Sequence, residues 1–182
     1  MPLYAFVILL AGWIIWATPF FLIRRQRITA AKIDRRARWG IVLQVIAYAL
    51  VWQGHFWIRV PTPWRVTLNI IFAAMAATLS WTGTRALGRQ WRIDAGLNAD
   101  HELIQSGPYR LVRHPIYTSM LCVLLATGFM TASWPLLLVS FAIFMAGLEI
   151  RTRVEDGLLS AHFGDAFETY RRSVAAYIPF VR

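Results

Sequence analysis

The 182-residue chain is poor in charge, with only 15% of its residues from Asp, Glu, Lys and Arg, and it holds one cysteine, Cys122. Soluble domains carry about 25% charged residues. A single cysteine excludes an internal disulfide and a cysteine-based metal site. The eleven glycines never fall in a G-x-G pattern, which removes a dinucleotide-binding or Rossmann-type loop. There is no P-loop, no zinc-ligand spacing among His55, His101, His114 and His162, and no G-x-S-x-G elbow. Internal repeats and low-complexity tracts are also lacking. No Lys or Arg precedes Arg24, so the first apolar run has no signal-peptide n-region and is expected to be a helix of the mature protein.

Apolar length is what the chain has in abundance: 58% of its residues are hydrophobic and 14% aromatic. Pro2 to Ile23, Trp39 to Ile58, Val66 to Thr84 and Pro115 to Leu148 contain no Asp, Glu, Lys or Arg. About 20 helical residues cross a bilayer core of about 30 Å. The last run, 34 residues, is too long for one span, and Ser133-Trp134-Pro135 breaks it, because proline interrupts a helical hydrogen-bond ladder. The reading is therefore all-α and polytopic, with five transmembrane helices. The last two form a hairpin whose first helix borrows a turn from Arg113-His114, and a cytoplasmic helical cap follows at the C-terminus. Of nineteen Lys and Arg, seventeen fall in segments 24–38, 85–113 and 151–182 and two between Arg59 and Arg65. That bias puts the three basic segments in the cytoplasm and the N-terminus outside. Trp39, Trp57 and Trp64 stand where interfacial anchors belong. The net charge of +10 is accounted for by orientation and attraction to anionic headgroups, and nucleic acid is not expected as a partner.

Chemistry must reside in the two longer polar pieces. In the first, Gly107-Pro108 signals a turn that gathers Tyr109, Arg110, Arg113, His114 and Tyr117 at the start of the fourth span, with Pro115 in its first turn. A guanidinium, an imidazole and open helix N-terminal amides suit a carboxylate or phosphate; interfacial snorkelling is the plainer reading of the same residues. In the second, Arg151 and Glu155 are four apart, on one helix face, where they can pair. Leu158, Leu159 and Phe163 continue an amphipathic pattern, Gly164 is a helix stop, and Asp165-x-x-Glu168 reads as a capping box for a last short helix. The plainer reading here is an interfacial amphipathic helix with surface charge pairs. Glu149, at the very end of a span, needs a partner.

Together the pieces read H-x-L-I-x-x-G-P-Y-R-x-x-R-H-P-x-Y, a membrane hairpin, then R-x-x-x-E-[ED]-x-x-L-x-x-x-F-G-x-x-[YF]-x-x-Y. This resembles the isoprenylcysteine carboxyl methyltransferase family and the related phospholipid N-methyltransferases, from about His101 to Pro179. The resemblance implies a membrane enzyme transferring a methyl group from S-adenosylmethionine to a lipophilic acceptor, either prenylcysteine carboxylate-like or a lipid. It also implies a cofactor site lined by His101, Leu103, Gly107, Pro108, Tyr109, Arg113, His114, Tyr117 and Glu155, with Arg151 and Glu155 at the methyl-transfer end and no metal. The family usually has Gly at Ser119, Glu at Asp156 and Tyr at Phe167. Residues 1–100 are then a membrane scaffold and 101–182 the cofactor-binding and catalytic region of one domain. A prokaryotic inner membrane suits the short loops. The alternatives are an NADPH-dependent sterol reductase-like enzyme, which ends in a related motif, and a non-catalytic membrane scaffold. The acceptor and the oligomeric state are not encoded in these patterns.

Overall fold

Prolines mark where three of the helices begin. The computed structural model describes residues 1–22, 32–33, 35–54, 60–91, 96–97 and 102–179. They form α1 (Leu3–Leu22), α2 (Ala37–Val51), α3 (Pro63–Leu87), α4 (Pro115–Thr131), α5 (Trp134–Phe163) and α6 (Asp165–Ser173). Pro63 and Pro115 are the first residues of α3 and α4 and Pro135 the second of α5, positions where the missing N–H leaves nothing unpaired. Pro19 lies inside α1 and frees the carbonyl of Ile15, four residues back. The indole of Trp81 on α3 donates to that oxygen at 3.0 Å. Alongside the helices, β1 (Lys32–Ile33) pairs antiparallel with β2 (Gly96–Leu97), a two-residue addition to the all-helical expectation.

The helices α1, α3 and α5 are long and apolar enough to cross a membrane, while α2 and α4 are apolar but shorter, at 15 and 17 residues. Large apolar side chains face outward: Phe21, Leu3 and Trp39 are 83%, 77% and 69% exposed, which calls for an apolar surrounding. The main pairings are α2 along α5 and α3 along α4, with α1 on α3. Only Ala132 and Ser133 separate α4 from α5, where the sequence predicts the break. The two helices nevertheless diverge, each lying mainly against another partner. Trp57 and His101 fall outside the described residues.

Three local expectations are corrected. Arg113-His114 do not lengthen α4: His114 has φ −124° and ψ 63°, because a residue before proline is driven out of the helical region. The Asp165–Glu168 capping box does not form. Gly164, at φ 53°, ends α5 and caps α6 at once, so Asp165 is already inside the first turn, and Glu168 instead accepts from Ser160 Oγ at 2.8 Å. The polar segment after Glu149 is no separate helix but the second half of α5. That helix has 30 residues, about 45 Å at 1.5 Å per residue, so its charged half projects beyond the apolar span.

Between the helices, polar groups bond pairwise, as they must in an apolar solvent. Asn69 Nδ2 donates to Ala126 O at 2.8 Å, Thr131 Oγ1 to Val51 O at 2.7 Å and Trp13 Nε1 to Thr127 Oγ1 at 3.0 Å. The α2–α5 crossing is closest at Gly40 and Gly147. A Cβ added to either would stand 2.5 or 2.6 Å from the other's carbonyl oxygen. Gly147→Leu is therefore expected to lower stability in detergent by about 1–3 kcal/mol through overpacking. Gly157→Ala, with open space at its Cβ, should gain about 0.5–1 kcal/mol from helix propensity. Thermal unfolding followed by circular dichroism checks the contrast, which equal shifts for the two variants would refute.

Candidate functional site

The 3₁₀ turn Gly107–Arg110, begun by Gly107 at φ 59°, turns Tyr109 inward. The chain after α6 then straps the following loop in place. The amides of Arg113 and His114 donate to the carbonyls of Ala175 and Ala176 at 2.8 and 2.9 Å. They are thus not open for an anion, which corrects that part of the sequence reading. Thr118 Oγ1 donates to Tyr177 O at 2.8 Å, and Tyr177 Oη to Glu149 Oε2 at 2.8 Å. Glu149, whose span-end position demands a partner, also receives Arg153 Nε at 2.7 Å. Tyr170 Oη donates to Tyr109 O at 2.6 Å.

Asp156 ties this loop to α5. Its Oδ2 receives Arg113 Nη2 at 2.8 Å and its Oδ1 receives His114 Nε2 at 2.8 Å. Arg113 reaches on to the carbonyls of Val174 and Arg171. Asp156 lies in the projecting half of α5. Burial alone would raise its pKa, but hydrogen bonds and charge from His114 and Arg113 hold it below the usual carboxylate range. Burial pushes Tyr170 up to about 12 and Tyr109 well above its ordinary value, so both phenols remain hydrogen-bond donors.

One residue earlier on α5, Glu155 points elsewhere. Its Oε2 accepts from Tyr117 Oη at 2.6 Å and stands 3.7 Å from His114 Nδ1. The Tyr117 ring stacks on His114, with centroids 5.3 Å apart, and the Arg151 guanidinium carbon lies over the same ring, 4.4 Å from its centroid. Arg151 Nη1 donates to Gln44 Oε1 of α2 at 2.9 Å.

These groups surround a cavity of about 490 Å³, within the range of small-molecule sites. Of the residues singled out in the sequence, Leu103, Tyr109, Arg113, His114, Tyr117, Arg151 and Glu155 line it. Gly107 and Pro108 shape the turn without lining the cavity, and His101 lies outside the described residues. Arg113, though at the wall, spends its guanidinium on Asp156 and backbone carbonyls.

Phe167 and Tyr170, the last two positions of the second motif, also line the cavity from α6. Other lining residues escape a motif-based reading: Trp16 and Phe20 come from α1, Trp91 from the segment after α3, and Met120 from α4. The spacing of Trp13, Trp16 and Phe20 was a usable signal, since steps of three and four put aromatics on one helix face. Phe20 packs on Trp91 at 5.4 Å, and both rings line the cavity. Gln44 gave no signal, because a lone polar residue in an apolar span does not name its partner.

A family model of phospholipid methyltransferases matches residues 64–166, more than half of the chain, with the first motif piece and most of the second. The chain belongs to the phospholipid methyltransferase family. Curated relatives include a metal-resistance protein and two isoprenylcysteine methyltransferases. The nickel-cobalt-cadmium resistance protein NccN of Alcaligenes xylosoxydans xylosoxydans is 27% identical, over 78% of this chain and 62% of its own. The protein-S-isoprenylcysteine O-methyltransferase of Schizosaccharomyces pombe is 31% identical, over 46% of this chain and 36% of its own. The protein-S-isoprenylcysteine O-methyltransferase B of Arabidopsis thaliana is 26% identical, over 77% and 70%. The chain thus spans 62% and 36% of the length of the first two relatives. Family membership does not favour the reductase or scaffold alternatives.

Two consequences follow from the Asp156 pair. With its folded-state pKa below the unfolded value, its contribution is full above about pH 4 and fades as pH falls through the lowered value. Asp156→Asn leaves Arg113 buried without its counter-charge and is expected to cost about 3 kcal/mol at pH 7. The gap to wild type should narrow below about pH 4, and thermal midpoints of the two proteins across pH 3 to 8 measure it. A constant gap would refute the assignment.

Proposed function

We propose that this protein is an integral membrane S-adenosylmethionine-dependent methyltransferase acting on a lipophilic acceptor, within a single domain whose catalytic region is 101–182. The observation that carries this is the shared chamber. Tyr117, from the segment that opens the fourth helix, and Glu155, from the second motif, meet at 2.6 Å on one cavity wall, with Arg151 on the same ring.

The residues present fit the methyl donor. Arg151, 6% exposed and held by Gln44, supplies a planar cation for its carboxylate. Trp16, Phe20 and Trp91 supply stacking faces for its adenine, and Glu155, held by Tyr117, supplies a negative charge for a cationic centre. Bound there, the donor supplies a methyl group on a positively charged sulfur. Arg151 and Glu155 fix the line of transfer, and apolar walls exclude water; alignment and a dry site do most of the work of a displacement. Leu103, Tyr109, His114 and Arg113 complete the donor's enclosure, and Gly107, Pro108 and His101 belong to the loop that bears them.

Phe21 both lines the cavity and lies 83% exposed on α1. An acceptor in the bilayer therefore reaches the chamber sideways past α1, with its tail left among lipids. The five-span arrangement, an outside N-terminus and a cytoplasmic cap accompany this proposal, supported by the distribution of Lys and Arg.

The test is binding of S-adenosylhomocysteine to purified protein in detergent. Wild type is expected to bind at micromolar levels, and Arg151→Ala to lose at least tenfold, roughly the 1.5–3 kcal/mol of a hydrogen bond to a charged group. Absence of binding to the folded wild type would end the proposal.

A further inference from the structure

One buried cluster reaches beyond the chamber wall. The His114 ring is 5% exposed and bridges two carboxylates of successive residues. Its Nδ1 faces Glu155, in the chamber, at 3.7 Å, and its Nε2 meets Asp156 at 2.8 Å. Asp156 does not line the chamber but lines a second cavity of about 630 Å³ on the far side of the loop, together with Thr152, Arg113 and Arg171. Arg153 also lines that second cavity, and the Arg153 and Arg171 side chains are 78% and 52% exposed, so water reaches it. An imidazole that can carry a proton on either nitrogen thus stands between a chamber and a wet pocket, with an acid at each end.

We propose that Glu155, His114 and Asp156 form a proton exit from the methyl-transfer chamber to the second cavity, so that the acceptor is one that sheds a proton on methylation, an amine or a thiol. This deepens the methyltransferase reading and rests on it. The balance is simple. A lone pair on the acceptor nitrogen or sulfur forms the new bond to the methyl carbon, the carbon–sulfur bond of the donor breaks, and its electron pair stays on that sulfur. The acceptor's proton goes to Glu155. From there it passes to His114 Nδ1, while the proton on Nε2 goes to Asp156 and on to water, one proton for each methyl. A carboxylate acceptor releases none and needs no exit. The 3.7 Å gap between Glu155 and His114 is longer than a hydrogen bond and closes by rotation of the half-exposed Glu155 side chain; such contacts often tighten only with substrate bound.

Charged groups face the exit from several elements. From α5 there are Glu155 and Asp156, with Glu149 and Arg153 in the second cavity beside Arg171 of α6; from α4, Tyr117 stacks on the imidazole, with Arg151 of α5 over the same tyrosine. Arg113 holds the far oxygen of Asp156. Tyr170 of α6 and Tyr109 flank the chamber with raised pKa values and do not titrate near neutrality.

Two measurements test the exit. Titration calorimetry in buffers of different ionisation enthalpy counts the protons taken up with S-adenosylmethionine and with S-adenosylhomocysteine. Wild type is expected to take up more with the neutral compound, because a cationic sulfur opposes a proton beside it, and His114→Gln is expected to lose that difference. A difference absent from wild type, or unchanged in His114→Gln, overturns the exit while leaving the methyltransferase reading intact. Failure to bind either compound overturns both. The second measurement offers wild type, at saturating donor, phosphatidylethanolamine vesicles, dodecanethiol and a prenylated cysteine carboxylate, with a pH-indicator dye. The expectation is methylation of the amine or thiol with one proton released per methyl. His114→Ala should be slower by about 100-fold, with partial recovery on adding imidazole. Transfer to the carboxylate alone, or a His114→Ala rate near that of wild type, overturns the proposal.

Discussion

A buried carboxylate must have its charge answered, and in this protein that requirement assembles the site. Asp156 is 9% exposed, and an ionised group so placed is tolerated only with good partners for its oxygens. Arg113 and His114 answer one oxygen each. Because both belong to the loop before α4, a single side chain on α5 locks that loop to the helix. Arg113 then extends the lock to the tail through the carbonyl of Val174. Successive residues of a helix diverge by about 100°, so with Asp156 turned to the loop, Glu155 is turned to Tyr117 and the chamber.

The second constraint is the solvent. Helices in an apolar surrounding gain little from burying one another's side chains and depend on close packing and polar bonds. At Gly40 and Gly147 the backbones of α2 and α5 nearly touch. That proximity lets Gln44 reach Arg151, one turn beyond Gly147. The packing device and the site are continuous: a guanidinium at the end of an apolar helix keeps its place over Tyr117 because a neighbouring helix passes within reach.

Much of the site was legible before any coordinates. Tyr109, Arg113, His114, Tyr117, Arg151 and Glu155 are polar or aromatic residues at fixed spacing beside turn signals, and eleven motif residues line one cavity. The prolines and Gly164 gave three helix starts and a stop for reasons internal to the chain. Illegible were the partners. Spacing put Arg151 and Glu155 on one face, but it did not reveal that Gln44 of α2 and Tyr117 of α4 hold Arg151, or that Tyr117 holds Glu155. Asp156 looked like a mere departure from a family pattern, yet it is the anchor. The aromatic wall from α1 lies in what the sequence divides off as scaffold, although the chamber runs from Trp16 to Tyr170.

By itself, then, the sequence determined the apolar lengths, the helix boundaries set by proline and glycine, the lopsided distribution of basic residues and the family motifs, since each is a property of neighbours along the chain. Tertiary structure decided which charge meets which, that the amides of Arg113 and His114 are taken by the tail, and that a second cavity backs onto Asp156. Those are contacts across 38 to 107 positions of sequence. They depend on how helices cross in an apolar medium, where small residues and single hydrogen bonds select the crossing, and no local pattern records that choice.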